Sequence, residues 1–292
     1  MREKKQEIID QGMRVLITGG QGMLGQAVQR LFAAKATVVA PGRQELDIRD
    51  AAAVAHWLQK TQPDWVLHLA ALTNVDYCQQ EPELALQVNT RATETLVAAC
   101  HKTAAGLLFM SSIAVFDGTS DQPYVETDQP RPVNQYGCTK WWAEQAVATL
   151  PRHLIVRSGW LFGGAENDKK FVRKIWHLAE TRPELAVVED KVGSPTYVDD
   201  LASGLWRLVV EARQGLFHLV NGGPPVSRYA LAQEIVVAAG LETAIRPVSS
   251  DHFPALAPRP DMEAAASHFT QGWLRPWPAA LRQYIAQLHH SA

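Results

Sequence analysis

Apolar and polar positions along the chain fall into two alternating kinds of segment. Short runs rich in Val, Ile and Leu occur at 15–18, 37–40, 65–69, 107–110, 154–156, 185–188 and 215–220. Runs of this length, with little polar alternation, read as strands buried on both faces of a parallel sheet. Between them apolar residues recur at helical spacing, as with Ala27, Val28, Leu31 and Phe32, which line one face of a helix. The same pattern predicts helices at 50–61 with Asp50 as N-cap, from Pro82 through Asn89 to 103, from Tyr136 onward, at 170–181, after Asp199 and Asp200, and at 277–288. The segment 117–133 is polar, contains several prolines and reads as a long loop. Alternation of strand and helix predicts an α/β chain with a doubly wound parallel sheet.

The junction of the first strand and helix adds chemistry to this architecture. Gly19, Gly22 and Gly25 follow the strand at intervals of three. Such glycines allow a tight turn, close approach of a ligand to the backbone, and close packing of helix on strand. The helix then offers free N–H groups and the positive end of its dipole to a pyrophosphate. A tight turn without a ligand uses similar spacing, but the strand before and the amphipathic helix after favour a dinucleotide site. At the end of the second strand an acid would meet the adenosine ribose, whereas an arginine accommodates a 2′-phosphate. The chain has Gly42 and Arg43 there and no acid, so NADPH is the expected cofactor, with NADH as the alternative. After Leu69, the small residues Ala70 and Ala71 let a cofactor lie across the crevice at the strand ends.

A second constellation follows. Ser112 comes at the end of the fourth strand, and Tyr136 and Lys140 come four apart on the next helix. Residues at that spacing share a helical face, so phenol and ammonium can reach one ligand. The ammonium is expected to lower the Tyr136 pKa and make it a proton donor and acceptor near neutrality.

Composition narrows the partners. The 292 residues are 47% apolar and 20% charged, enough to bury about three quarters of the unfolded surface without a disulfide or metal. A net charge of −2 gives no drive toward nucleic acid or an anionic membrane. Cys78, Cys100 and Cys138 are scattered and odd in number, which argues against a disulfide framework and for a reducing cytoplasm. The ten histidines show no short metal-binding spacing, and no apolar run is long enough to span a bilayer. Residues 1–12 are charged, lack the apolar core of a signal peptide, and read as an extension ahead of the fold.

These motifs together resemble the extended short-chain dehydrogenase/reductases, which act on nucleotide sugars. The glycine turn matches at Gly19, Gly22 and Gly25, and the catalytic Ser/Thr, Tyr and Lys match at Ser112, Tyr136 and Lys140. Within that superfamily the likeness is to the reductases of dTDP-4-dehydrorhamnose, carried by 46–48, 70–76, 81–83, Val88 with Asn89, 115–118, Glu144, 157–160 and 193–197. The resemblance implies a Rossmann-type domain over 13–157 and a smaller C-terminal substrate-binding α/β part over 158–292, some of whose segments return to the first domain. It implies cofactor contacts from Gly19, Gln21, Gly22, Met23, Leu24, Gly25, Arg43, Asp47, Ile48, Leu69, Ala70, Ala71, Thr73, Tyr136 and Lys140. Ser112, Val115, Phe116, Trp160 and Arg259 would meet the nucleotide sugar, with Lys169, Lys170 and Arg173 as further basic candidates for its diphosphate. Tyr136 would protonate a 4-keto-6-deoxysugar as NADPH delivers hydride. Pairing of two copies through helices bearing Trp141 and Trp142 is also implied.

The chain departs from that pattern at three places. Ile113 and Ala114 replace an Asp and a Tyr, the stretch 167–171 is altered, and Glu263 stands where a serine is usual after Arg259 and Pro260. An epimerase or dehydratase of the superfamily is a second reading, although Ile113 and Ala114 supply no carboxylate pair. A non-catalytic dinucleotide-binding regulatory subunit is a third.

Overall fold

The computed structural model describes residues 12–164 and 168–291. Most of the N-terminal extension (1–11) and Asn167 of the altered 167–171 stretch lie outside the described residues. The first strand, β1 (Arg14–Thr18), leads through the glycine turn into α1 (Met23–Ala33), and β2 (Thr37–Val39) returns beside β1. Asp50 caps α2 (Ala51–Thr61), its carboxylate accepting from the N–H groups of Ala52 and Ala53. Strand β3 (Trp65–His68) pairs with the other side of β1. Next come β4 (Gly106–Ser112), β5 (His153–Ser158) and, from far along the chain, β10 (Gly215–His218). The six strands run parallel in the order β10-β5-β4-β3-β1-β2. The order reverses between β1 and β3, and a crevice opens at that point beyond their carboxyl ends.

Both sheet faces are covered, as the apolar runs require. One face carries α1 and α8 (Val198–Val210), whose Val28, Phe32, Leu201 and Leu205 pack on Ile17, Leu67 and Leu108. The other carries α2, α5 (Ala92–Thr103) and α6 (Gln135–Val147) over Leu16, Val66, Leu107 and Phe109. Asp199 and Asp200 lie inside the first turn of α8 rather than before it, where carboxylates meet the positive end of the helix dipole. The stretch after β3 is more broken than the pattern predicts. Asn74 caps an extra helix, α3 (Val75–Gln80), before α4 (Pro82–Leu86) begins. A π-helical turn (Gln87–Arg91) then joins α4 to α5. It turns the buried Asn89 amide inward to the carbonyl and N–H of Leu72 and the hydroxyl of Thr139.

The C-terminal half builds a second core. Helices α7 (Phe171–Ala179), α9 (Arg228–Ala239) and α10 (Trp277–Ser291) bury Trp176, Ile235 and Tyr284 with β7 (Glu184–Val188). Strand β12 (Ala244–Val248) pairs with β7, β6 (Leu161–Phe162) pairs with β9 (Thr196–Tyr197), and β8 (Val192–Gly193) stands between β11 (Val226–Ser227) and β13 (Met262–Glu263).

A buried ion pair locks α6 to the main sheet. Arg157 on β5 donates from Nε and Nη2 to the two oxygens of Glu144 on α6, at 2.9 and 2.6 Å, and the Ser111 hydroxyl on β4 donates to the same carboxylate. Arg157 and Glu144 are both about 3% exposed. Removing one member leaves an uncompensated buried charge, so Glu144→Ala should lose about 3–5 kcal/mol of stability in chemical denaturation; a loss below 1 kcal/mol would show that the pair does not hold α6.

Candidate active site

The turn after β1 is shaped for close approach. Gly19 has φ +74°, and a Cβ on it would stand 2.5 Å from the Ala70 nitrogen, so the turns after β1 and β3 are nearly in backbone contact. A Cβ on Gly25 would overlap the carbonyl oxygen of Gly19. Gly22 caps α1 with no side chain of its own to satisfy the first N–H groups, which suits an anion there. Gln21, Gly22, Met23 and Leu24 line one wall of a cleft of about 2000 Å³; Leu69, Ala70, Ala71 and Thr73 line the facing wall. Arg43, Asp47 and Ile48 close one end. There the Arg49 guanidinium grips both Asp47 oxygens and, with Arg43 adding to it, holds that carboxyl down at about 2. Arg49 was not anticipated; it is a second cation beside Arg43 in the cleft lining.

Ser112, Tyr136 and Lys140 line the same cleft. Asn134 caps α6 through the Gly137 N–H, which starts the helix so that Tyr136 and Lys140 share a face. Here one expectation is corrected: Tyr136 is not shifted toward neutrality. Burial pushes its phenol up to about 12, with a hydrogen bond from Ser112 working the other way. Part of the ring is still open to the cleft, but the surrounding protein outweighs this. Lys140 is 2% exposed, and burial drives it down to about 7 against the pull of Glu144. Its ammonium lies 4.0 Å from the centre of the Phe109 ring. Beneath it His68 is buried between the hydroxyls of Thr18 and Thr93, at 2.7 and 3.0 Å, and burial lowers it to about 3, so it is neutral.

On the substrate side the structure divides the expected residues. Val115 and Phe116 are not brought to the cleft: both are 0% exposed and pack with Ile113 and Tyr124, Phe116 stacking on Tyr124 at 4.2 Å. Val115 ends and Phe116 follows a 3-10 turn (Ile113–Val115) that directs both into the core. Trp160, Lys169, Lys170 and Arg259 do line the cleft, and Arg173 does not. Arg259 pairs with Asp76 at 3.0 Å and donates to the Ala257 carbonyl. Two cleft residues were missed, Arg228 and Glu263. The Arg228 guanidinium lies 3.4 Å from the centre of the Trp160 ring, and Glu263 accepts from the Trp160 indole N–H at 3.0 Å. A lone arginine at a helix start carries no pattern that marks it, and Glu263, on β13, stood out only as a departure from the reductase pattern. Among the described residues no cluster of His, Cys, Asp and Glu could hold a metal, and no helix is long and apolar enough to cross a membrane.

Residues 13–290 match the model of the RmlD substrate binding domain. The chain belongs to that family. An RmlD-family relative from Mycolicibacterium smegmatis, named dTDP-4-dehydrorhamnose reductase, is 37% identical over 94% of this chain and 85% of its own. A dTDP-4-keto-6-deoxy-D-glucose reductase from Streptomyces niveus is 36% identical over 82% of this chain and 83% of its own. The crystal structure of dTDP-4-dehydrorhamnose reductase from Bacillus anthracis in complex with NADP superposes with a TM-score of 0.90 at 31% identity, covering 94% of this chain and 99% of that one.

In this RmlD-family site the depressed Lys140 has a measurable cost. Between about 7 and its ordinary 10.5 the unfolded chain holds a proton on this lysine that the folded chain does not, so stability rises with pH across that window. The penalty is complete below about 7. Lys140→Met should therefore raise the melting temperature of the cofactor-free protein at pH 6.5, by about 2–4 °C per kcal/mol relieved, and by much less at pH 9.5. An equal gain at both values would show that burial of the charge is not its source.

Proposed function

We propose that this chain uses NADPH to reduce the 4-keto group of a dTDP-linked 6-deoxyhexulose, as in dTDP-rhamnose biosynthesis. The observation that carries the reading is the convergence of Ser112, Tyr136 and Lys140 on the one cleft whose wall is the glycine turn. A Cβ on Gly25 has no room there and the α1 N-terminus lacks a side-chain cap, so the cradle fits a dinucleotide. Gly19–Gly25 and Ala70 would hold its pyrophosphate and ribose, and Arg43 its 2′-phosphate. Bound there, NADPH supplies hydride to the ketone carbon.

The chain's own residues manage the proton. Tyr136 keeps its phenol protonated through neutral pH, which suits a donor to the ketone oxygen as charge builds there. Ser112 hydrogen-bonds the same oxygen and fixes it in line with the phenol. Lys140, four residues on, orients the ribose and stabilises the phenolate left after transfer. Ile113 and Ala114 are buried, at 1% and 6% exposure; their apolar side chains leave the three polar groups in place, which favours an enzyme over a regulatory subunit. The three free cysteines, two of them buried, fit a reducing cytoplasm.

The test follows NADPH absorbance with dTDP-4-keto-6-deoxy-L-lyxo-hexulose. Tyr136→Phe should bind NADPH normally and lose about 10²–10⁴-fold in turnover, and Arg43→Ala should weaken NADPH but not NADH. Near-parental turnover in the first variant would remove Tyr136 from its role; an unchanged NADPH/NADH ratio in the second would remove Arg43.

Two copies pairing across α6 is supported by Trp142, 41% exposed there, and by Tyr77, 40% exposed on the packed α3. Trp142→Glu should convert a dimer to a monomer in analytical ultracentrifugation, and a parent that sediments as a monomer would exclude the pairing.

A further inference from the structure

One small sheet brings three residues to one indole. In the order β11-β8-β13, β11 runs directly into Arg228, β8 carries Gly193, and β13 carries Glu263. Trp160 receives all three. The guanidinium of Arg228 stacks on its ring at 3.4 Å, with Phe171 at 4.7 Å on the same cation. Gly193 packs so tightly on the indole that a Cβ would overlap it, and Glu263 Oε2 accepts its N–H at 3.0 Å. Trp160 is fixed in the left-handed region, φ +47°, a conformation costly for a bulky residue and kept only where its surroundings demand it.

Glu263 acts on Arg228 through its charge, but no hydrogen bond or ion pair joins the two. Among the described residues the Arg228 side chain makes no hydrogen bond or ion pair, and Glu263 Oε1 accepts no hydrogen bond. Both residues line the cleft. Burial lowers Arg228 to about 10, so it is still cationic at neutral pH. A stacked guanidinium with its donors free is built for a planar or tetrahedral oxyanion. Glu263 stands near the chemistry, since its charge helps to raise the Tyr136 phenol. In a hexulose the ketone carbon C4 lies across the ring from C1, which bears the phosphate, and C3 with its hydroxyl adjoins the ketone.

We propose that Arg228 and Glu263 are the two ends of a gauge laid along Trp160, the guanidinium taking a phosphate oxygen on C1 and the free Glu263 oxygen accepting from the hydroxyl beside the ketone. The inference rests on the sugar-nucleotide reading above and adds how the sugar is aligned. It makes Arg228, rather than the already paired Arg259, the first phosphate ligand at the sugar end, and it makes Glu263 select for a hydroxyl at C3.

Calorimetric titration of the NADP⁺-saturated protein with dTDP and with dTDP-rhamnose tests it without requiring turnover. Arg228→Met should weaken both ligands about tenfold or more, the loss of one charge-assisted contact, and Arg228→Lys should fall between it and the parent. Glu263→Gln keeps an oxygen for the indole N–H; it should leave dTDP unchanged and weaken dTDP-rhamnose about tenfold. Unchanged NADP⁺ affinity certifies that each variant is folded. The proposal is overturned if Arg228→Met binds dTDP as the parent does, if Glu263→Gln affects both ligands equally or neither, or if the parent does not bind dTDP. A parent that binds dTDP through Arg228 yet never oxidises NADPH would sink the reaction and leave the gauge standing.

Discussion

The cleft depends first on how α6 is held. Glu144 sits one turn beyond Lys140 and two beyond Tyr136, and it is clamped from two strands at once, by Arg157 of β5 and Ser111 of β4. Ser111 is the neighbour of Ser112. One buried carboxylate therefore ties together the strand that carries the hydroxyl and the helix that carries the phenol and ammonium. Such a pair gains little over apolar packing in net stability, but its geometry admits only one placement of α6. Its position explains its location better than its energy does.

That rigid frame lets the site run against the electrostatic grain. Burial pushes both groups toward their neutral forms: Lys140 falls to about 7 and Tyr136 rises to about 12. The phenol is thereby kept as an acid, and the ammonium is poised to become fully charged as negative charge appears nearby. A mutually solvated pair on a helix surface would do neither. Glu144 partly offsets the burial that drives Lys140 toward its neutral form.

Much of this was legible in the sequence, for physical reasons. Buried parallel strands leave continuous apolar runs, and all six strands of the main sheet stand where such runs occur. The glycine turn is legible because only glycine fits at Gly19 and Gly25. That Ser112, Tyr136 and Lys140 line one cleft was legible from spacing, since a strand end and a helical i, i+4 face are local features. What failed was nonlocal. Nothing near Phe116 says that a 3-10 turn will swing it into the core, and its place after Ser112 in the chain suggested the opposite. The direction of the Tyr136 shift was misjudged because sequence shows the adjacent charge but not the burial that outweighs it. Arg228 escaped, and Glu263 was noted only as a departure from the reductase pattern, because both reach the cleft through Trp160, 68 and 103 positions away. The π-helical turn at Asn89 is a departure of one residue in hydrogen-bond spacing, which periodicity does not resolve.

Strand β10 bears on how such a protein can change over time. It enters the main sheet beside β5 after more than fifty intervening residues, while α8, just before it, covers the sheet together with α1. The C-terminal half is thus sewn into the N-terminal half instead of hanging from it by a linker. Cutting the chain after β5 would bare Leu154, Ile155 and Val156 along an apolar edge open to pairing with other chains. A new substrate preference therefore cannot arrive by exchanging one module for another. It has to come by replacement of single residues on the rim, while both halves continue to fold as one piece.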